Sequence, residues 1–283
     1  MSIVTASDPA VDATHYYDSA RVEMPMVREL RAVAAYRDLV RELVARSIKT
    51  RYKRSVLGVA WTMLNPLMIM LILTAVFSSV FRITVEHYAV YFLSAVLLWN
   101  FFSQTAVAIA NEIVWGGSLL TRIYVPPGVF AASALGAGLV NIVLSLVPLA
   151  IVMLITGVPL SPALIFLPLA ALATAMFAVG VGLLISRLAI VFSDVLDMFQ
   201  ILLLAWMYCT PIMYPLSIID AEYRWLMFLN PMYYMVEMWR QPVYSGLVPS
   251  ASVMLTGLGL GVGTLVLGWW YFTGAVDEIA YRV

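Results

Sequence analysis

Few residues in this chain are of types that do chemistry, and they stand apart from one another. The histidines His15 and His87 and the single cysteine, Cys209, fall in no spacing typical of a metal site. Asp194 and Asp197 are three residues apart, a spacing that a carboxylate metal site can use, but two carboxylates without further partners are weak support for one. We therefore expect no catalytic residue, no metal and no other cofactor on this chain.

The chain instead concentrates positive charge. Five of the nine residues from Arg46 to Arg54 are basic, and no charge follows between Ser55 and Phe81. The only lysines, Lys49 and Lys53, are not preceded by glycine, so the sequence holds no phosphate-binding loop of the G-K-[ST] type. We expect the chain not to hydrolyse ATP by itself.

The elements that position this cluster are those of a membrane protein. Apolar residues make up 63% of the chain and charged residues 11%, against about 25% charged in soluble domains. A helix needs about 20 apolar residues to cross a bilayer, and uncharged windows of that length predict six spans. Their approximate bounds are 55–81, 88–111, 126–155, 162–186, 196–214 and 251–276. We expect an all-α integral membrane protein.

Lysine and arginine near the span ends predict the sidedness. With a cytoplasmic N-terminus, thirteen of the 16 basic residues lie inside, and only Arg82, Arg224 and Arg240 lie outside. Both termini are therefore expected in the cytoplasm of a multi-pass protein. Residues 1–32 form an N-terminal cytoplasmic extension, and residues 55–283 form the membrane domain.

Two further segments are expected to lie along the membrane surface. Within 33–54, apolar residues from Tyr36 to Tyr52 recur on one helical face and basic residues on the other, which predicts an amphipathic helix facing lipid. Residues 216–248 mix charge with aromatic residues, and their uncharged stretch from Trp225 to Val236 is too short to cross. We predict a pair of re-entrant helices there, with an ordinary outer loop as the alternative.

Four segments in order resemble the membrane subunits of type 2 ATP-binding cassette exporters that carry O-antigen, teichoic acid or capsular polysaccharide. They are RYKRSVLGVAWTMLNPL (Arg51–Leu67), SLLTRIYVPPGVF (Ser118–Phe130), SRLAIVFSDVLDMFQILLLAWMYCTPIMYP (Ser186–Pro215) and FLNPMYYMVEMWRQPVYSG (Phe228–Gly246). The resemblance implies a homodimer in the bacterial cytoplasmic membrane, bound to two copies of an ATPase subunit that carries ATP and Mg. It implies a lipid-linked glycan as substrate, with membrane lipids and no nucleic acid as other partners.

The resemblance also gives roles to particular residues. The loop after the second span would contact the ATPase subunit through Glu112, Trp115, Leu119 and Arg122, with a simple inner turn as the alternative. A pyrophosphate head group of the substrate would meet the cations Arg46, Lys49, Arg51, Lys53 and Arg54. Sugar CH faces stack on aromatic rings, so we expect channel-lining residues among Trp61, Tyr88, Tyr91, Phe92, Trp99, Trp206, Tyr208 and Tyr214, each of which could instead anchor the protein at the membrane interface.

Two alternatives remain open from the sequence. A multidrug or lipid exporter would share the same architecture, and a membrane enzyme acting on lipid-linked sugars would share the substrate. The enzyme is disfavoured because the chain offers no cluster of catalytic residues.

Overall fold

A computed structural model describes residues 31, 33–53, 58, 60–79, 85–115 and 125–274, and within these ranges the structure is helical with no strand. Seven α-helices and two short ones follow in order: α1 Arg37–Tyr52, α2 Ala60–Ser79, α3 Tyr88–Trp115, α4 Pro127–Thr156, α5 Leu167–Val191, α6 Val195–Tyr208, α7 Arg224–Phe228, α8 Pro231–Arg240 and α9 Ala251–Thr273. A 3₁₀ turn, Pro162–Phe166, leads into α5, and a π turn, Gln241–Ser245, follows α8.

Helix α3 forms the centre of the bundle. It packs against α2, α4, α5, α6 and α8, and every side chain from Val90 to Trp99 is buried. A helix that is apolar or aromatic on all sides can be covered by lipid or by protein, and in this structure other helices surround α3. The other helices are therefore arranged about α3.

The ends of α4 follow from local sequence. Pro127 occupies the first turn, where its missing N–H leaves no hydrogen bond unmade, and Gly157 ends the helix with a φ of 77°. A left-handed residue at that position favours glycine, and the chain then reaches the 3₁₀ turn at Pro162. This is the turn that the sequence predicts between the third and fourth spans.

Helices α5 and α9 approach each other closely because glycines face each other. A Cβ at Gly268 would collide with the backbone of Gly180, and one at Gly261 would lie 2.7 Å from the carbonyl oxygen of Ala173. The sequence of α9 contains two overlapping G-x-x-x-G patterns, and the structure separates their roles. Gly261 belongs to the pattern that packs within the chain, whereas Gly259 and Gly263 have nothing within 4 Å.

In the part of the chain that the structure describes, four helical segments are long and apolar enough to cross a membrane: Tyr88–Trp115, Pro127–Thr156, Pro162–Val191 and Ala251–Thr273. Helices α2 and α6 contribute shorter apolar stretches, Met63–Val76 and Val195–Tyr208. The fifth predicted span, 196–214, is thus helical only as far as Tyr208. Pro211 lies in the turn that follows α6.

Between α6 and α9 the chain forms the short helices α7 and α8 rather than a plain loop. Helix α7 is largely exposed, whereas Met232, Met235, Val236 and Trp239 of α8 are buried in the main core. The side chain of Asn230 caps α8 by accepting a hydrogen bond of 3.0 Å from the N–H of Met232. We call this end of the bundle the α8 end.

Helix α1 lies at the opposite end, which we call the α1 end. Its apolar residues Leu39, Val40 and Leu43 pack against a core that includes Ile109 of α3, Phe130 of α4 and Phe272 of α9. The sequence predicted that this apolar face lies against lipid, and in the structure protein side chains cover part of it.

Candidate functional site

Five of the aromatic residues predicted to line a channel belong to the main core of the chain, where Tyr88, Tyr91 and Phe92 form one group and Trp99 and Trp206 another. Tyr88, Tyr91, Phe92 and Trp99 of α3 are buried, and Trp206 of α6 lies with its ring centroid 6.1 Å from that of Trp99 in an edge contact. Trp206 makes similar contacts with Phe102 and Phe177. This cluster packs α6 onto α3 and α5.

The other three aromatic residues lie apart from that cluster. Trp61 on α2 is 53% exposed and Tyr208 at the end of α6 is 57% exposed. Tyr214 is half-buried in the turn after α6, where its hydroxyl donates a hydrogen bond of 2.8 Å to the carbonyl of Tyr208. Of the eight predicted residues, Trp61 and Tyr208 therefore present the most ring surface.

A buried arginine fastens α8 to the bundle. Arg240 is 4% exposed, and its guanidinium donates hydrogen bonds to the hydroxyl of Tyr91 (2.8 Å) and to the carbonyl oxygen of Pro211 (2.6 Å). The same group lies 4.0 Å from the centre of the Tyr91 ring and 3.4 Å from a carboxylate oxygen of Glu237. Acceptors at the two terminal nitrogens thus offset part of the cost of burying this charge.

Further hydrogen bonds join the segments at the α8 end. The hydroxyl of Tyr88 donates to the carbonyl of Met213 (2.9 Å), and that of Tyr244 donates to the carbonyl of Glu86 (2.7 Å). Burial raises the pKa of the Tyr244 phenol, so the hydroxyl keeps the proton that it donates. The indole N–H of Trp206 donates to the side-chain oxygen of Asn230 at 2.8 Å. The start of α3, the end of α6 and the cap of α8 therefore form one connected unit.

A half-open cavity of about 340 Å³ lies between α2, α3 and α4, beside α1. Four side-chain amides line it: Asn65, Asn100, Gln104 and Asn141. Trp61 and Glu112 also line the cavity, together with the hydroxyls of Ser47, Thr105 and Ser145. The arrangement offers several hydrogen-bond donors and acceptors beside the rings of Trp61 and Phe101, which suits an uncharged hydroxylated ligand.

The residues predicted to contact an ATPase subunit differ in how exposed they are. Glu112 is on the penultimate turn of α3 and accepts a hydrogen bond of 2.8 Å from the hydroxyl of Ser133 on α4. Trp115 ends α3 at the α1 end and is 73% exposed. Leu119 and Arg122 lie outside the described residues. Glu112 thus faces the bundle, whereas Trp115 is available to a partner.

The predicted head-group cations follow the exposed side of α1. Arg46, Lys49 and Lys53 are exposed. Arg54 and the side chain of Arg51 lie outside the described residues. Val44, on the opposite side of α1, faces Gly136 of α4, where an added Cβ would lie 2.8 Å from a valine methyl. Helix α1 is therefore held to α4 on one side and presents its positive charge on the other.

Sequence reasoning missed two features of this structure. It counted Arg240 as an outer surface cation, although the uncharged aromatic residues around it were a signal of burial. It also passed over the amides of the cavity, which stand singly in apolar runs on three different helices. Polar side chains isolated in such runs are costly in a membrane and so indicate a role.

The chain was compared with known proteins. The family described as "ABC-2 type transporter" matches residues 38–244. The "O-antigen export system permease protein RfbA" of Myxococcus xanthus is 30% identical over 246 residues, which cover 86% of this chain and 94% of that protein. A protein of the same name from Klebsiella pneumoniae is 24% identical over 234 residues, which cover 80% and 90% of the two chains. The resemblance seen in the four sequence segments is thereby confirmed, and the chain belongs to the ABC-2 type transporter family.

Proposed function

We propose that this chain is the membrane subunit of an ATP-driven exporter that moves a lipid-linked polysaccharide across the bacterial cytoplasmic membrane. The observation that carries the proposal is the similarity to O-antigen export permeases over nearly their whole length, 94% of the Myxococcus protein and 90% of the Klebsiella protein. The glycan would be of the O-antigen, teichoic acid, capsule or galactan type.

The proposed topology has six spans, with α2 and α6 completing the four long helices. Both termini lie in the cytoplasm, because thirteen basic residues then lie inside and three outside. The α1 end is the cytoplasmic end, and the α8 end, with α7 and α8 as its re-entrant pair, faces outward. This orientation places the exposed cations of α1 at the cytoplasmic leaflet, where lipid-linked precursors are made.

We propose a homodimer whose protomers meet along α2 and α6. Both helices are at the edge of the bundle and carry large apolar side chains that are more than half exposed: Met68, Leu71, Ile72, Met198, Ile201, Leu202 and Leu204. The glycan path would run between the protomers, beside Trp61 and Tyr208 from the predicted aromatic set. Rings along such a path bind sugars weakly and repeatedly, which lets a polymer slide.

Energy comes from two copies of an ATP-binding cassette subunit, which carry the ATP and Mg. They would contact this chain at the α1 end, through Trp115 and the loop that contains Leu119 and Arg122. The exposed cations of α1 would donate charge-assisted hydrogen bonds to the pyrophosphate head of the substrate.

Reconstitution of the chain with its ATPase subunit in vesicles tests this function. Lipid-linked glycan in the outer leaflet of an inside-out vesicle should move to the lumen with ATP and become resistant to an added glycosidase. Vesicles with an ATPase subunit unable to hydrolyse ATP are the control. Stimulation of ATP hydrolysis by apolar drugs and not by lipid-linked glycan would instead favour a multidrug exporter.

A further inference from the structure

Glu112 is the only charged residue among the 28 of α3, and α4 has no charged residue among its 30. It lies three residues before the end of α3. The segment that follows, residues 116–124, is the one proposed to contact the ATPase subunit, and we call it the contact loop. A carboxylate among apolar residues loses part of its hydration, so its presence indicates a role. Because Glu112 faces the bundle, we looked for that role inside the chain.

The carboxylate of Glu112 joins α3 to α4. It accepts a hydrogen bond of 2.8 Å from the hydroxyl of Ser133, which is 2% exposed. The same hydroxyl lies 2.9 Å from the carbonyl oxygen of Phe130, but a carbonyl within a helix already accepts an N–H of that helix. A charged acceptor binds a hydroxyl more strongly than a neutral one. The single proton of the Ser133 hydroxyl therefore favours Glu112.

The packing around this hydrogen bond is supplied by apolar side chains. Ile109 and Ile113 of α3 belong to the same core as Val129 and Phe130 of α4. Apolar contacts have no preferred direction, so they allow one helix to slide or turn against the other at small cost. A hydrogen bond requires a particular distance and angle between donor and acceptor. The bond between Glu112 and Ser133 thus fixes the position of α3 relative to α4.

This bond lies close to both ends of the contact loop. Helix α3 ends at Trp115 and α4 begins at Pro127. Glu112 is therefore about one turn before the end of α3, and Ser133 is about two turns after the start of α4. A force on the contact loop reaches both helices, and it separates them unless they are fastened to each other.

We propose that Glu112 and Ser133 form a clamp, which makes α3 and α4 move as one unit when the ATPase subunit pushes on the contact loop. The inference rests on the proposed function for the ATPase partner. It makes Glu112 a positioning residue within the chain, in place of the direct contact with the ATPase subunit that the resemblance implied. Without the clamp, part of the movement would separate α3 from α4, so less substrate would move for each ATP hydrolysed.

The coupling ratio, which is the amount of glycan moved per ATP hydrolysed, tests the clamp in vesicles that contain the full complex. Ser133→Ala and Glu112→Ala should each lower this ratio about fivefold or more, because a hydrogen bond to a charged group favours the clamped state about tenfold or more. Glu112→Gln keeps an oxygen that accepts the hydrogen bond and Ser133→Thr keeps the hydroxyl, so both should restore most of the ratio. The matched control is Ser186→Ala, which should keep the wild-type ratio. Ser186 is fully buried, and its hydroxyl donates within α5, to the carbonyl of Leu183 (2.8 Å).

The double variant Glu112→Ala, Ser133→Ala distinguishes one clamp from two separate roles. Residues that act through one shared hydrogen bond have effects that do not add, so the double variant should have the same ratio as either single variant. A further loss in the double variant would overturn the clamp. A wild-type ratio in Ser133→Ala would also overturn it, and so would a lower unfolding temperature without a change in the ratio, since the bond would then only stabilise the fold.

Hydrogen exchange of the complex separates the clamp from the proposed export, because it needs no substrate. ATP is held by an ATPase subunit that cannot hydrolyse it, and exchange is followed in peptides from the end of α3 and the start of α4. We expect ATP to leave this exchange unchanged in the wild-type chain and to raise it about fivefold or more in Ser133→Ala, where the helices open locally under load. Exchange that rises equally with and without ATP in Ser133→Ala, or that does not rise at all, would overturn the clamp. If ATP raises exchange only in Ser133→Ala but wild-type vesicles move no glycan, the clamp stands and the proposed export is refuted.

Discussion

Replacing Arg240 tests whether a single buried charge holds the outer helices in place. In Arg240→Ala, the half-buried carboxylate of Glu237, which is 16% exposed, would lose its cation and keep only the hydrogen bond of 3.1 Å from Gln241. The Tyr91 hydroxyl and the Pro211 carbonyl would lose their donor. Breaking one side of a buried ion pair costs about 3–5 kcal/mol. For a chain of this size each kcal/mol lowers the unfolding temperature by about 2–4 °C, so we expect a fall of roughly 6–20 °C.

The assay is the apparent unfolding temperature of the purified chain in detergent, with Arg224→Ala as the matched control. Arg224 is exposed and donates one hydrogen bond, to the carbonyl of Ile219, so its loss should cost less than about 1 kcal/mol. The double variant Arg240→Met with Glu237→Met should recover much of the loss, because removing both charges is less costly than stranding one. The reasoning is refuted if Arg240→Ala unfolds no earlier than Arg224→Ala, or if the double variant is less stable than the single one.

Three other predictions concern packing, substrate and topology. Gly268→Ala should destabilise the chain by about 1–3 kcal/mol because its Cβ meets the backbone of α5. Gly263→Ala should be neutral or should stabilise the chain by up to about 1 kcal/mol. Thermal unfolding of both variants checks this, and equal shifts in the two unfolding temperatures would contradict it. The double variant Lys49→Glu, Lys53→Glu should lower the transport of lipid-linked glycan into vesicles about 100-fold or more, since each charge-assisted contact contributes about 1.5–3 kcal/mol. Unchanged transport at equal expression would show that these lysines do not bind the pyrophosphate head group. Glu222→Cys in a chain without Cys209 should react with an impermeant maleimide in intact cells. Labelling only after lysis would show that this segment faces the cytoplasm and that the proposed topology is wrong.

The long helices could be predicted from the sequence because they depend on local properties. An uncharged window sets the length of a membrane helix, and Pro127 and Gly157 mark the ends of α4 wherever the rest of the chain lies. The predicted window 126–155 consequently differs from the helix by one residue at each end. The same reasoning located the start of α9, where the side chain of Ser250 accepts a hydrogen bond from the N–H of Val253.

The end of α6 could not be predicted in this way. The apolar run continues past Tyr208, but the chain turns there because of contacts with residues that follow much later. Asn230 donates a hydrogen bond of 2.9 Å to the hydroxyl of Thr210, and Arg240 binds the carbonyl of Pro211. Both partners are at least 20 residues further along the chain, and their approach depends on the whole bundle.

Periodicity likewise predicted the apolar face of α1 but not what covers it. A regular stripe of Leu39, Val40 and Leu43 is equally suited to lipid and to protein, and only the position of α4 decides between them.

The sequence likewise shows only those parts of the candidate site whose residues are neighbours in the chain. The cations of α1 stand together in the sequence, whereas Asn65, Asn100 and Asn141 meet only because three helices bring them to one cavity.

The brevity of α6 has a mechanical consequence for the surrounding lipid. Its 14 residues extend for about 21 Å, against roughly 30 Å of hydrocarbon in an average bilayer. In the six-span arrangement the turn after α6 must cover the difference, or the bilayer must thin where lipid meets α6 at the edge of the proposed dimer interface, and each ångström of such mismatch carries an elastic cost. A thinned annulus along one side of the protein would shorten the oily barrier that a hydrophilic polymer has to pass, so membrane thickness itself becomes a variable that sets the rate of export.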